Sequence, residues 1–66
     1  MNWDVAKGKW KQLSGEARKQ WGKLTDDDWE QCAGEKDKLV GKLQERYGWS
    51  KDQAEKNADD YFAHLS

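Results

Sequence analysis

Apolar residues recur along the first third of the chain in steps of three and four: Trp3, Ala6, Trp10, Leu13, Ala17, Trp21 and Leu24. At about 100° per residue these positions share one narrow stripe, which predicts an amphipathic helix over about residues 3–21. Asn2 is a suitable N-cap, Asp4 suits the positive end of the helix dipole, and Gly22 is placed to stop the helix in a left-handed turn. Gly8 and Gly15 lie off the stripe, and each weakens the helix interior by about 1 kcal/mol relative to Ala, which leaves room for a bend or a frayed first turn.

Thr25 before Asp26, Asp27 and Asp28 reads as a second N-cap with acids in the first turn, where unpaired backbone N–H groups favour negative charge. Trp29, Cys32, Leu39, Val40, Leu43 and Tyr47 then share one helical face, so periodicity alone allows a single helix over 26–47. After Gly48, Ser50 with Gln53 three residues on has the form of a capping box. Ala54, Ala58, Tyr61 and Leu65, with Phe62 beside them, mark a last helix.

A shift of 26 residues superposes Gly8 on Gly34, Leu13 on Leu39, Gly15 on Gly41, Trp21 on Tyr47, Gly22 on Gly48 and Asp26 on Asp52. The chain thus reads as two copies of a long helix, a glycine turn and a shorter capped helix, with a break near Gly34. The predicted fold is all-α: about four helices in one small bundle over residues 1–66, arranged as two helical hairpins packed across each other. Neither hairpin could bury its aromatic residues alone.

Composition narrows the picture. Sixty-six residues make one small domain, too short for most enzymes. At 38% charged and 35% hydrophobic residues, with a mean hydropathy of −1.34, the chain lies near the polar edge of what folds. Five Trp, two Tyr and one Phe supply the burial that a compact fold needs. The absence of Pro and Ile and the wealth of Lys, Glu, Gln and Ala favour helices over sheets.

A net charge of −1 argues against a general polyanion binder, but the charge is unevenly placed. Residues 1–24 hold six bases and two acids, a net +4; residues 25–66 hold six bases and eleven acids, a net −5. Such polarity can steer a partner or let two copies meet head to tail. Cys32 is the only cysteine, so no internal disulfide is available. The N-terminus lacks a signal-peptide pattern, and no apolar run approaches the roughly 18 residues of a membrane span; a cytoplasmic protein without a membrane span is expected.

Trp10-Lys11-Gln12-Leu13, Gly15, Trp21-Gly22-Lys23-Leu24-Thr25-Asp26-Asp27-Asp28, Gly34, Leu39, Gly41-Lys42, Gln44-Glu45-Arg46-Tyr47-Gly48 and Ser50-Lys51 together resemble the CsbD-like family of small bacterial stress-response proteins. The octapeptide from Trp21 to Asp28 is the most specific part. Departures fall mainly at apolar sites, with Trp29, Cys32 and Trp49 where the family pattern has Leu, Ile and Tyr. Glu16 and Ala17 replace a more basic, valine-containing stretch. The resemblance implies a small helical bundle in the bacterial cytoplasm whose abundance rises under stress, with no catalytic residues to carry over.

Trp3, Trp10, Trp21 and Trp29 fit a core better than a base-stacking platform. Trp49, off the stripes, is either a staple onto the last helix near Ala54 or an exposed contact. Asp26, Asp28 and Glu30 have the alternate spacing of a calcium loop's start, yet Gln31 replaces its glycine and Asp37 its bidentate Glu, so helix capping explains them. Cys32 reads as a buried hydrophobe and His64 as solvated, with no motif pairing them for catalysis. No catalytic, cofactor or metal site is expected.

Among the bases Lys7, Lys9, Lys11, Arg18, Lys19 and Lys23, which read as spread around a polar face, Lys9, Lys11, Arg18 and Lys19 are the candidate polyanion contacts. The favoured function is non-enzymatic association, with the chain itself or with another macromolecule. Nucleic-acid binding by the basic N-terminal helix is the alternative.

Overall fold

Five α-helices and no strand make up residues 3–64, the part of the chain that the computed structural model describes: α1 (Trp3–Gly8), α2 (Trp10–Gln20), α3 (Asp26–Cys32), α4 (Lys36–Tyr47) and α5 (Lys51–Ala63). The expected all-α bundle is present, with one helix more than anticipated because the first helix is split. Asn2, expected as an N-cap, and Leu65, expected on the last apolar stripe, lie outside the described residues.

The split falls at Lys9, where the backbone leaves helical geometry at φ −115° and ψ 19°. Gly8 lowers the cost of the break, and packing decides its place. The backbone of α1 lies so close to Gly34 that a Cβ there would stand 2.5 Å from the Lys7 Cα. Gly34 itself has φ +82° and follows Ala33 at φ +51°, so two successive left-handed residues separate α3 from α4. The chain is therefore broken, not bent, at Gly34.

Gly22 does not end α2 as expected. Gln20 is the last helical residue, Trp21 is the C-cap at φ −124°, and its N–H donates to the Ala17 carbonyl at 3.0 Å. Only Gly34 and Gly48 have positive φ among the described glycines. Burial of Trp21, left 2% exposed, turns the chain before the glycine is reached. The later starts and stops fall where anticipated, although Ser50 and Gln53 form only half of the expected capping box. The Thr25 hydroxyl accepts from the Asp28 N–H, the Asp28 carboxylate accepts from the Thr25 N–H, and Gly48 closes α4 at φ +71°. Ser50 accepts from the Gln53 N–H at 3.2 Å to start α5.

The core is largely aromatic. Phe62 of α5 sits 4.9 Å from Trp3 and 6.1 Å from both Trp10 and Trp21, measured between ring centroids. Tyr61 meets Trp21 edge-on at 5.0 Å, and Trp29 lies 5.9 Å from Trp10 and 6.1 Å from Trp21. The end of α5 thus covers the indole stripe of α1 and α2, as two mutually covering hairpins require. Leu39, Val40 and Leu43 of α4, Ala54 and Ala58 of α5, and Ala6, Leu13, Ala17, Leu24 and Cys32 complete the buried apolar set. Each such aromatic pair contributes about 0.5–1.5 kcal/mol beyond the area it buries.

Candidate functional site

Lys7, Lys11, Ser14 and Arg18 follow one another at steps of four, three and four, a spacing that places them on one side of a helix. In the fold they line one wall of an open groove of about 540 Å³. Glu30 and Ala33, on and just after α3, form the opposite wall, and the edges of Trp10 and Trp29 lie beneath. The groove is held open from below: the Trp10 Nε1–H donates to the Trp29 carbonyl at 2.7 Å, a buried bond that ties α2 to α3. Ser14 donates its hydroxyl to the Lys11 carbonyl at 3.2 Å, so it presents little free polarity.

Gly15 also lines the groove, and it has no fold-level reason to be glycine. Its φ is not positive, and a Cβ built on it would meet nothing within 4 Å. A glycine inside a helix costs about 1 kcal/mol relative to Ala. Gly15 leaves the groove lining between Lys11 and Arg18 without a side chain.

Of the four anticipated contacts, the fold brings Lys11 and Arg18 together and adds Lys7. Lys9, at the break between α1 and α2, and Lys19 are exposed but do not line the groove. The spacing of Lys7, Lys11 and Arg18 accounts for the shared wall, so these three are gathered on one groove and not spread around the polar face as expected. Arg18 is partly engaged, its Nη1 lying 3.2 Å from Asp26 Oδ1 in an exposed pair. Lys23 sits over the Tyr47 ring at 5.1 Å. Among the described residues, Lys7 and Lys11 make no ion pair.

The acidic run at the start of α3 is a structural device. Asp28, 3% exposed, accepts from Arg46 Nε at 3.0 Å and Arg46 Nη2 at 3.2 Å, and lies 3.3 Å from Lys42 Nζ. The Arg46 guanidinium, with the Thr25 N–H and Lys42 assisting, holds this carboxyl far below the usual carboxylate range. Among the described residues no three His, Cys, Asp or Glu side chains are grouped to hold a metal ion.

Cys32 is fully buried, and burial pushes its thiol up to about 11, which leaves almost no thiolate at neutral pH. His64 lies exposed at the end of α5. Trp49 is half-buried against the core with its ring stacked on Tyr47 at 4.6 Å, so it is not a fully exposed contact.

A protein-family model described as CsbD-like matches residues 4–56, a span that contains every residue of the groove. The chain belongs to the CsbD-like family. Its relatives include a UPF0337 protein of Pseudomonas aeruginosa, 59% identical over 61 residues that cover 92% of this chain and 94% of that one. The UPF0337 protein YjbJ of Escherichia coli is also 59% identical over 61 residues, covering 92% and 88%. One from Rhodopseudomonas palustris is 52% identical over 65 residues, or 98% of both chains. Among the described residues no helix of this CsbD-like protein is long and apolar enough to cross a membrane.

Proposed function

We propose that this CsbD-like chain serves a bacterial stress response as a non-enzymatic association module, receiving an acidic protein surface in the groove of Lys7, Lys11 and Arg18. The observation that carries this reading is the groove itself: three cations on one wall, of which two are unpaired, over an apolar floor left uncovered at Gly15. Family membership supports the stress setting.

A protein partner fits better than duplex nucleic acid. Only three cations line the groove, with Glu30 beside them and Asp26 drawing on Arg18, which suits a short acidic patch set on an apolar surface better than a long run of phosphates. The chain also lacks the overall basic excess that polyanion binding normally uses. The absence of an activated nucleophile supports binding over catalysis: the one thiol is buried and held protonated.

Amide shifts of the labelled protein, titrated with poly-glutamate and separately with a short DNA duplex at low salt, test this. The expected result is that poly-glutamate moves Lys7, Lys11, Gly15 and Arg18, and that the duplex moves them less. A duplex that binds more tightly than poly-glutamate, with affinity falling steeply as salt rises, would replace this reading with nucleic-acid binding.

A further inference from the structure

We infer that the groove takes an amphipathic helix of a partner protein, which seats one apolar side chain between Lys11 and Arg18 and places an acid a turn away on either side of it. This rests on the groove being a protein-binding site, and it adds the shape and side-chain pattern that the site receives.

The first argument is the form of the wall. Lys11, Ser14, Gly15 and Arg18 stand at i, i+3, i+4 and i+7 of α2, the four positions that frame a hole on a helix surface and receive a knob from a facing helix. Gly15 puts no side chain into that hole, and Ser14 is buried with its hydroxyl given to the Lys11 carbonyl. Trp10 and Trp29 lie beneath, so the floor is apolar. An aliphatic or aromatic knob therefore enters without leaving the Ser14 hydroxyl unpaired.

Spacing selects a helix over an extended segment. Lys11 and Arg18 are about 10.5 Å apart along α2, seven residues at about 1.5 Å each. Two acids seven residues apart on a facing helix match that distance and share a face. An extended segment covers it in about three residues, and residues three apart on a strand point to opposite sides. Extended peptides also dock by adding to a sheet edge, and the described residues contain no strand. The groove of about 540 Å³ holds little more than one turn of helix, since a turn about 5.4 Å long and about 10 Å wide occupies about 420 Å³.

Charge then fixes the pattern around the knob. Lys7, Lys11 and Arg18 lie on one wall and Glu30 on the other, so the partner helix carries acids on the α2 side of its apolar residue and a base on the α3 side. Lys7 and Lys11 make no ion pair among the described residues, whereas Arg18 already shares its charge with Asp26. Lys11 is thus the cation that a docked acid engages most strongly.

Ala-rich helical peptides of about 18 residues, long enough to hold a helix in water, test the inference through amide shifts of the labelled full chain. The parent peptide has a central Leu, Glu four residues before and three after it, and Lys on the other flank. It should shift Lys11, Ser14, Gly15, Arg18, Glu30 and Ala33, and bind about tenfold more tightly than the same peptide with Ala in place of Leu. Two Pro residues near its centre, which break the helix and keep the Leu and the charges, should weaken it by a similar factor. Lys in place of both Glu residues should abolish binding. Gly15→Gln should remove the advantage of Leu over Ala, and circular dichroism should show that protein's helices intact.

Equal binding of the Leu and Ala peptides overturns the inference, as does undiminished binding of the Pro-broken peptide or a set of shifts centred away from the groove. If poly-glutamate still shifts Lys7, Lys11 and Arg18 in that case, the groove remains a protein site and only the helical occupant falls. If neither poly-glutamate nor any peptide shifts it, both readings fall.

Discussion

The two halves of the chain place glycine at the same three positions 26 residues apart, and the fold uses the two sets differently. In the C-terminal copy, Gly34 and Gly48 adopt left-handed backbone and end helices. In the N-terminal copy, Gly8 and Gly22 have ordinary φ and open space around them. The same contrast holds for the aromatic pair: Trp21 is buried among Trp29, Tyr61 and Phe62, whereas its counterpart Tyr47 is half-buried against Trp49. The lesson is that glycine permits a turn and packing decides whether it is used. Where a large ring must reach the core, α2 ends before its glycine; where no such demand exists, α4 runs on to Gly48.

The sharpest way to break this comparison is to truncate both rings. Trp21→Ala should cost about 3–5 kcal/mol and unfold a domain of this size, whose total stability is rarely larger. Tyr47→Ala loses the stack on Trp49, the Lys23 ammonium over the ring and the hydrogen bond that its hydroxyl accepts from the Lys23 N–H, and should cost about 2 kcal/mol. Thermal melts followed by circular dichroism read both, and equal losses would show that the two halves share the core evenly.

Gly34 and Gly8 form the next pair. Gly34→Ala forces a Cβ into the Lys7 backbone at a left-handed residue, and should cost about 2–4 kcal/mol through strain and a displaced α1. Gly8→Ala meets nothing and should leave stability unchanged or raise it by up to about 1 kcal/mol. Urea titrations of the two variants separate these outcomes.

These pairs also show how far the sequence was legible. The helix starts at Asp26 and Lys51 followed from Thr25 and Ser50, because a cap acts through bonds within one turn. The core stripes followed from periodicity. The ends at Gln20 and Gly8 did not, since they depend on where Trp21 and Gly34 meet distant elements. The groove was half legible: the spacing of Lys7, Lys11 and Arg18 marks one face, but the α3 wall that turns a face into a groove is a tertiary fact. The Asp28–Arg46 clasp was invisible, as its members are 18 residues apart and belong to different helices.

Asp28 gives a third contrast, because its counterpart 26 residues on is the buried Ala54. The first half holds the second through this carboxylate. Its folded pKa lies below its unfolded value of about 3.9, so its stabilisation is fully present above that value and is lost as pH falls toward the folded one. Asp28→Asn should therefore lower stability at pH 7 by about 2 kcal/mol. The gap between the two melting curves should close as the pH is taken from 5 toward 2. A gap that stays constant with pH would assign the loss to packing and not to the charge.

The smallest effect tests the one glycine pair that both halves treat alike. Gly15 and Gly41 sit inside α2 and α4, each with open space where a Cβ would go, and each lines a groove. Alanine at either site should stabilise its helix by about 0.5–1 kcal/mol, visible as a modest rise in melting temperature. A fold shaped by stability alone would have no reason to keep either glycine. The two sites should part company when the side chain is made longer: Gly15→Gln narrows the groove beside Lys11 and Arg18, whereas Gly41→Gln fills the one bounded by Gln31, Lys38, Lys42 and Glu45. Both variants should melt at or above the wild-type temperature. Only Gly15→Gln should weaken the shifts that poly-glutamate causes at Lys7, Lys11 and Arg18, because the cations of the other groove, Lys38 and Lys42, are already paired with Glu35 and Asp28.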